Sequence, residues 1–166
     1  MLKSILNPKE CASCKFCCSF RRQSMWETPL FTKDNYEAIL KNHKEFAEYL
    51  IPNNGDYYTY DLSEAYKTDD ENEEAACPFL DAKKGCILGP DEKPWDCSIW
   101  PFRVVKKDDE LWLVLTPTCR EVNKVERDDI DKCAGLLADS VKAYVTEHPC
   151  LIKEYIDDFF ILIKKL

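Results

Sequence analysis

The sequence predicts an α+β domain, with helices packed around a small antiparallel hairpin or sheet and a cysteine-rich metal site. Three observations carry that expectation. Apolar residues recur at helical spacing from residue 33 to 50 and again from about residue 128. One polar turn near residue 108 separates two runs of strand-forming residues. Seven of the ten cysteines fall into two groups, at positions 11–18 and 77–97.

Residues 1–31 carry the first cysteine group and no sustained periodicity, which reads as a loop wrapped around a site. A helix is expected from about Lys33 to Leu50. Thr32 or Asp34 supplies a capping oxygen, and Tyr36, Ile39, Leu40, His43, Phe46, Ala47 and Leu50 share one face. Pro52-Asn53-Asn54-Gly55 stops it, and Tyr57 to Leu62 alternates polar with apolar residues as a strand does. Asp69 to Glu74 is an acidic run read as a solvated loop, because it lacks the spaced Asp/Asn/Gly pattern of a calcium loop.

Phe102–Lys106 and Leu111–Thr116 flank Lys107-Asp108-Asp109-Glu110, which predicts a hairpin. From about Asp128, residues Ile130, Cys133, Ala134, Leu137, Val141 and Tyr144 recur as one helical face. After His148-Pro149 a last helix is expected to present Ile152, Tyr155, Ile156, Phe159, Phe160 and Ile163. No internal repeat is present. The expectation is therefore one domain over residues 1–166, with a cysteine-cluster region at about 11–119 and a helical part at about 128–165.

With 45% hydrophobic and 33% charged residues, the chain can bury a core. Its net charge of −8 argues against general nucleic-acid binding, since phosphate contacts need surplus Lys and Arg. The start, Met1 to Leu6, lacks a signal-peptide core, and the longest apolar run, Phe159 to Ile163, is far too short to span a membrane. A cytoplasmic location is expected, with neither membrane nor nucleic acid as partner. Cysteines in a reducing compartment do not persist as disulfides, so metal ligation or redox chemistry leads.

The first group reads Cys11-Ala12-Ser13-Cys14-Lys15-Phe16-Cys17-Cys18. Thiolates two residues apart converge on one ion when a tight turn aims both sulfurs inward, and iron–sulfur clusters use the same spacing. Neighbouring side chains diverge in extended backbone, so Cys17 and Cys18 serve different metals or opposite sides of one cluster. A vicinal redox dithiol is the competing reading of that pair. The second group comprises Cys77-Pro78-Phe79-Leu80, Gly85-Cys86-Ile87 and Pro94-Trp95-Asp96-Cys97, closing with Trp100-Pro101-Phe102. Trp95, Trp100 and Phe102 are expected to wall the sulfurs from water.

These motifs together resemble the CxxCxxCC cysteine-cluster proteins, described as zinc- or iron-chelating domains. The resemblance covers roughly residues 11 to 119. It departs from the usual pattern in having Lys93 for an arginine, and Trp100 for a tyrosine or phenylalanine. It implies Cys11, Cys14, Cys17, Cys18, Cys77, Cys86 and Cys97 as ligands, with Cys119 as the closing one. Cys133 lies on an apolar helical face, where ligation and core packing compete. Cys150 reads as a core or interface thiol. His43 and His148 read as structural residues.

The leading functional reading is a metal-binding protein that carries a cysteine-ligated iron–sulfur cluster or zinc. It would serve as an accessory, electron-transfer or metal-handling protein beside an undefined protein partner. The alternative is an enzyme or enzyme subunit using the cluster, either methyltransferase-linked, because similar clusters occur in a flagellin lysine methylase, or thiol-redox through Cys17 and Cys18. Either way, the two cysteine groups are expected to meet, with several sulfurs within about 4 Å of one another.

Overall fold

The computed structural model describes residues 2, 5, 6, 10 and 13–166. Its elements are helices and small, mostly antiparallel sheets, as expected of an α+β chain. They divide into two compact units, residues 12–98 and residues 1–11 with 99–166.

In the unit of residues 12–98, β1 (Ser19–Arg21) precedes α1 (Lys33–Asn42). Thr32 caps α1: its hydroxyl accepts from the Asn35 amide at 3.3 Å, while the Asn35 side chain accepts from the Thr32 amide at 3.1 Å. The helix does not run on to Leu50. His43 leaves helical geometry, Lys44–Tyr49 tightens into 3-10 turns, and β2 (Leu50–Pro52) begins. Two contacts account for the break. His43 Nε2 turns toward Glu92 Oε2 at 3.4 Å, and Leu50 pairs with Tyr60. Ile39, Ala47 and Leu50 are all buried across the break, which is why the helical period overshoots it.

β2 returns through a turn at Gly55, where φ is +62°, into β3 (Tyr58–Tyr60). Residues 13–31 are more ordered than a plain loop, holding 3-10 turns and β1. β1 pairs antiparallel with β4 (Glu74–Ala76), in the register Ser19↔Ala76, Phe20↔Ala75 and Arg21↔Glu74. β5 (Leu80–Asp81) and β6 (Gly85–Cys86) form a third small ribbon, and α2 (Trp95–Ile99) closes this part of the chain. The core of the unit is aromatic, with Phe20, Phe31, Tyr60 and Phe79 buried beside Ile39, Leu50 and Leu62.

The acidic run is a largely exposed loop, as expected, up to Glu74, which opens β4. Glu73 accepts from the Lys67 and Thr68 amides at 2.5 and 2.8 Å and pairs with Arg22 at 3.5 Å. Those amide bonds hold its carboxyl down at about 2.

In the other unit, β7 (Phe102–Lys107) and β8 (Glu110–Leu115) form the expected hairpin. Asp108 and Asp109 both take positive φ, 50° and 62°, as a two-residue turn matched to strand twist requires. Val104 and Val105, pointing to opposite faces, are both buried, so the hairpin is covered on both sides. α3 (Arg127–Glu147) follows, burying Ile130, Cys133, Ala134, Leu137, Ala138, Val141 and Val145.

The last expected helix is absent. The chain instead adds β9 (Lys153–Glu154) parallel to β7 and β10 (Ile161–Lys165) antiparallel to β8, giving the sheet order β10-β8-β7-β9. The left-handed residue Asp158 interrupts the stretch, and Ile161-Leu162-Ile163 suits an extended edge. Phe160 is buried against Val105 and Val114, whereas Ile156 stays exposed. Among the described residues, no helix is long and apolar enough to cross a membrane.

Candidate metal centre

The β1–β4 ribbon brings the two cysteine groups together. Cys18 stands directly before β1 and Cys77 directly after β4. The Cys77 amide donates to the Cys18 carbonyl at 2.8 Å, which extends the ribbon register by one pair. Side chains alternate along a strand, so Cys18 and Phe20 share a face with Cys77 and Ala75. That face is the inner one: Phe20, Ala75 and Cys77 are buried, and Cys18 packs against their cluster. Directly opposed residues in such a pair lie about 5.5 Å apart at Cα.

Cys86 is returned to Cys77 by local turns. The Leu80 amide donates to the Cys77 carbonyl at 3.0 Å, Leu80 pairs with Cys86, and Gly85 takes a φ of +80° at the bend. Asp81 secures this bend by accepting from the Lys83 and Lys84 amides at 2.8 and 2.7 Å. Lys15, inside the first cysteine motif, donates from Nζ to the Ala82 carbonyl at 2.5 Å and so fastens the first cysteine loop to the second. Lys15 is itself left-handed, with φ of 56°, ahead of the 3-10 turn Phe16–Cys18. Cys97 lies in α2, its amide bonded to the Pro94 carbonyl at 3.1 Å.

The thiols act on one another. Cys77, 8% exposed, is pushed up to about 11 by burial first, against hydrogen bonds from Tyr60 and the Phe79 amide; Cys86 and Cys17 push it further. Cys17 is driven well above the ordinary thiol range, chiefly by its hydrogen bond with Cys18, then by burial of the sulfur and the charge of Cys18; Lys93 opposes this. The residue as a whole is exposed, so the contact with Cys18 outweighs burial there. Tyr60 is raised by burial and then by Cys77, Cys97 and Cys18. Cys18, Cys77 and Cys97 thus act on Tyr60, and Cys17 and Cys86 act on Cys77.

Of the remaining candidates, Cys14 belongs to the same unit, and Cys119, Cys133 and Cys150 belong to the other. Cys14 is exposed and helical. Cys11 falls outside the described residues. Cys119 is buried in the other unit, bonded through its amide to the Thr116 carbonyl at 3.4 Å. Cys133 is buried in the face of α3, and burial raises its thiol; Cys150 is half-buried. None of the nine described cysteines forms a disulfide with another described one. His43 pairs with Glu92, and the ring of His148 lies 4.3 Å from that of Tyr144.

The bond from the Cys77 amide to the Cys18 carbonyl brings the two groups together. Among the described residues, no three His, Cys, Asp or Glu side chains form a group that could hold a metal ion. The buried aromatic residues in the cluster of Cys18 and Cys77 are Phe20, Phe31, Tyr60 and Phe79; of those expected from the sequence, Trp95 is half-buried, while Trp100 and Phe102 belong to the other unit. Sequence reasoning misses Tyr60 and the influence of the Lys93 charge on Cys17. Strand alternation places Tyr60 inward, yet nothing local indicates that its hydroxyl meets a thiol. No family model, curated protein or solved structure matches the chain.

Proposed function

We propose that the protein binds a thiophilic metal, as an iron–sulfur cluster or as zinc, and serves in electron transfer or metal handling as an accessory to other proteins. The carrying observation is the register that sets Cys18 opposite Cys77, with Cys17, Cys86 and Cys97 in electrostatic reach. Thiols crowded in this way resist ionising together, because each new thiolate repels the next. A bound cation reverses that balance and takes up the sulfurs as their protons leave. The donor set is all sulfur, which suits zinc and iron–sulfur clusters alike. The exposed Cys14, Cys17 and Cys86 close the remaining distance as metal arrives. Cys11 belongs to the same motif, whereas Cys119 enters on the resemblance to the cysteine-cluster family alone.

Anaerobic purification followed by metal analysis and absorption spectroscopy tests this reading. A broad band near ~400 nm with bound iron identifies a cluster. A colourless protein with stoichiometric zinc identifies a structural ion. Protein that stays free of both after anaerobic supplementation overturns the proposal. The adjacency of Cys17 and Cys18, with the Cys18 thiol acting on Cys17, favours a second reading, thiol exchange through the vicinal pair. Peptide mapping after treatment with oxidised glutathione detects a Cys17–Cys18 disulfide if that chemistry operates.

A further inference from the structure

Tyr60 carries a hydroxyl into a core that otherwise uses phenylalanine. The residue is 3% exposed, and its ring packs against Phe20, Phe31 and Phe79 at centroid distances of 5.6, 5.2 and 6.0 Å. Its backbone is fixed by the pairing of β3 with β2, where it stands opposite Leu50. With ring and backbone both held, the phenol oxygen ends 3.1 Å from Cys77 Sγ in a buried contact. A phenylalanine would fill the same space without bringing a polar atom into the core. Burying a hydroxyl is unfavourable unless it is bonded, so the oxygen has its use at the sulfur.

We infer that Tyr60 is a positioning residue of the proposed metal centre, donating a hydrogen bond to the Cys77 sulfur and setting how much charge that sulfur gives the metal. This rests on the metal-binding reading above. With Cys77 as a thiol, either partner can donate. Once Cys77 binds metal as a thiolate it has no proton left, and only the phenol can donate. A hydrogen bond to an ionised acceptor is stronger than one between neutral groups, and more so where water is excluded. It draws electron density from the sulfur, which weakens sulfur-to-metal donation and, in a redox cluster, raises the potential.

The test uses the full reduced chain with Co(II) as the probe. The wild type is expected to show a thiolate-to-cobalt charge-transfer band. Tyr60→Phe keeps the ring and removes only the oxygen. It should move that band to longer wavelength, because the sulfur donates more strongly, yet weaken Co(II) binding about 10-fold, because the buried thiolate loses the hydrogen bond that stabilises its charge. In a Cys77→Ala background, Tyr60→Phe should change neither. Phe79→Leu, which disturbs the same core without touching the hydroxyl, should leave the band in place.

If Tyr60→Phe leaves both band and affinity as in the wild type, the inference about Tyr60 is overturned while the metal reading stands. A shift that persists without Cys77, or that Phe79→Leu reproduces, overturns it as well. A wild type with no thiolate band overturns this inference together with the metal reading.

Discussion

At the scale of single residues, the bond from the Cys77 amide to the Cys18 carbonyl sets these two thiols opposite one another, a meeting that the spacing of Cys14, Cys17 and Cys18 leaves open. Cys133 looks equally suited to ligation or packing, and its place between Ile130 and Ala134 on the buried face of α3 explains it as core. In the proposed centre, Cys77→Ser should lower metal content by at least half, whereas Cys133→Ser and Cys150→Ser should leave it unchanged by elemental analysis. Equal loss from Cys150→Ser would contradict the assignment. Glu73 gives a separate prediction. Its carboxyl sits at about 2 in the folded chain, against 4.5 ordinarily, so it contributes stability above 4.5 that is lost as pH falls through about 2. The stability advantage of wild type over Glu73→Gln, followed by urea denaturation, should be full at neutral pH and shrink across that window. A constant difference down to pH 2 would count against these amide bonds as the cause.

At the scale of elements, legibility follows length and locality. The β7–β8 hairpin is readable because six-residue strands flank a short polar turn. α1 is readable because Thr32 announces its start; its end is not, because Phe46, Ala47 and Leu50 keep a helical period while the backbone passes through 3-10 turns into a strand. The β1–β4 ribbon leaves no periodic trace at all. Each strand has three residues, and Ser19 and Glu74, which hydrogen-bond across it, lie 55 positions apart. Removing the cap with Thr32→Ala should cost about 1 kcal/mol in chemical denaturation. Replacing Asp108-Asp109 by Asn-Gly should instead stabilise by about 0.5 kcal/mol, because both positions have positive φ and the exposed Lys106–Asp109 pair contributes little. Destabilisation by that double change would mean the aspartates hold the turn by more than their backbone.

At the scale of the whole molecule, the partition into two units localises the consequences of metal. Cys14, Cys17, Cys18, Cys77, Cys86 and Cys97 all lie within residues 12–98. Chelation under reducing conditions should therefore lower amide-exchange protection in β1, β4, β5 and β6 and leave the β7–β8 hairpin as protected as before. Protection unchanged across residues 12–98 would show that metal contributes nothing to the fold. The bond from the Cys77 amide to the Cys18 carbonyl carries a further consequence, best expressed as an effective concentration. An ion recruiting these two sulfurs from a slack chain would have to close the whole loop between residues 18 and 77. Such a closure costs roughly 4 kcal/mol in chain entropy, near a thousandfold in affinity. Here strand pairing has closed that loop already, so in the proposed centre an ion would reach the two thiols without that cost. Breaking the ribbon with Ala75→Pro, far from any ligand atom in chemistry though next to Cys77 in space, returns the closure to the metal and weakens its capture accordingly.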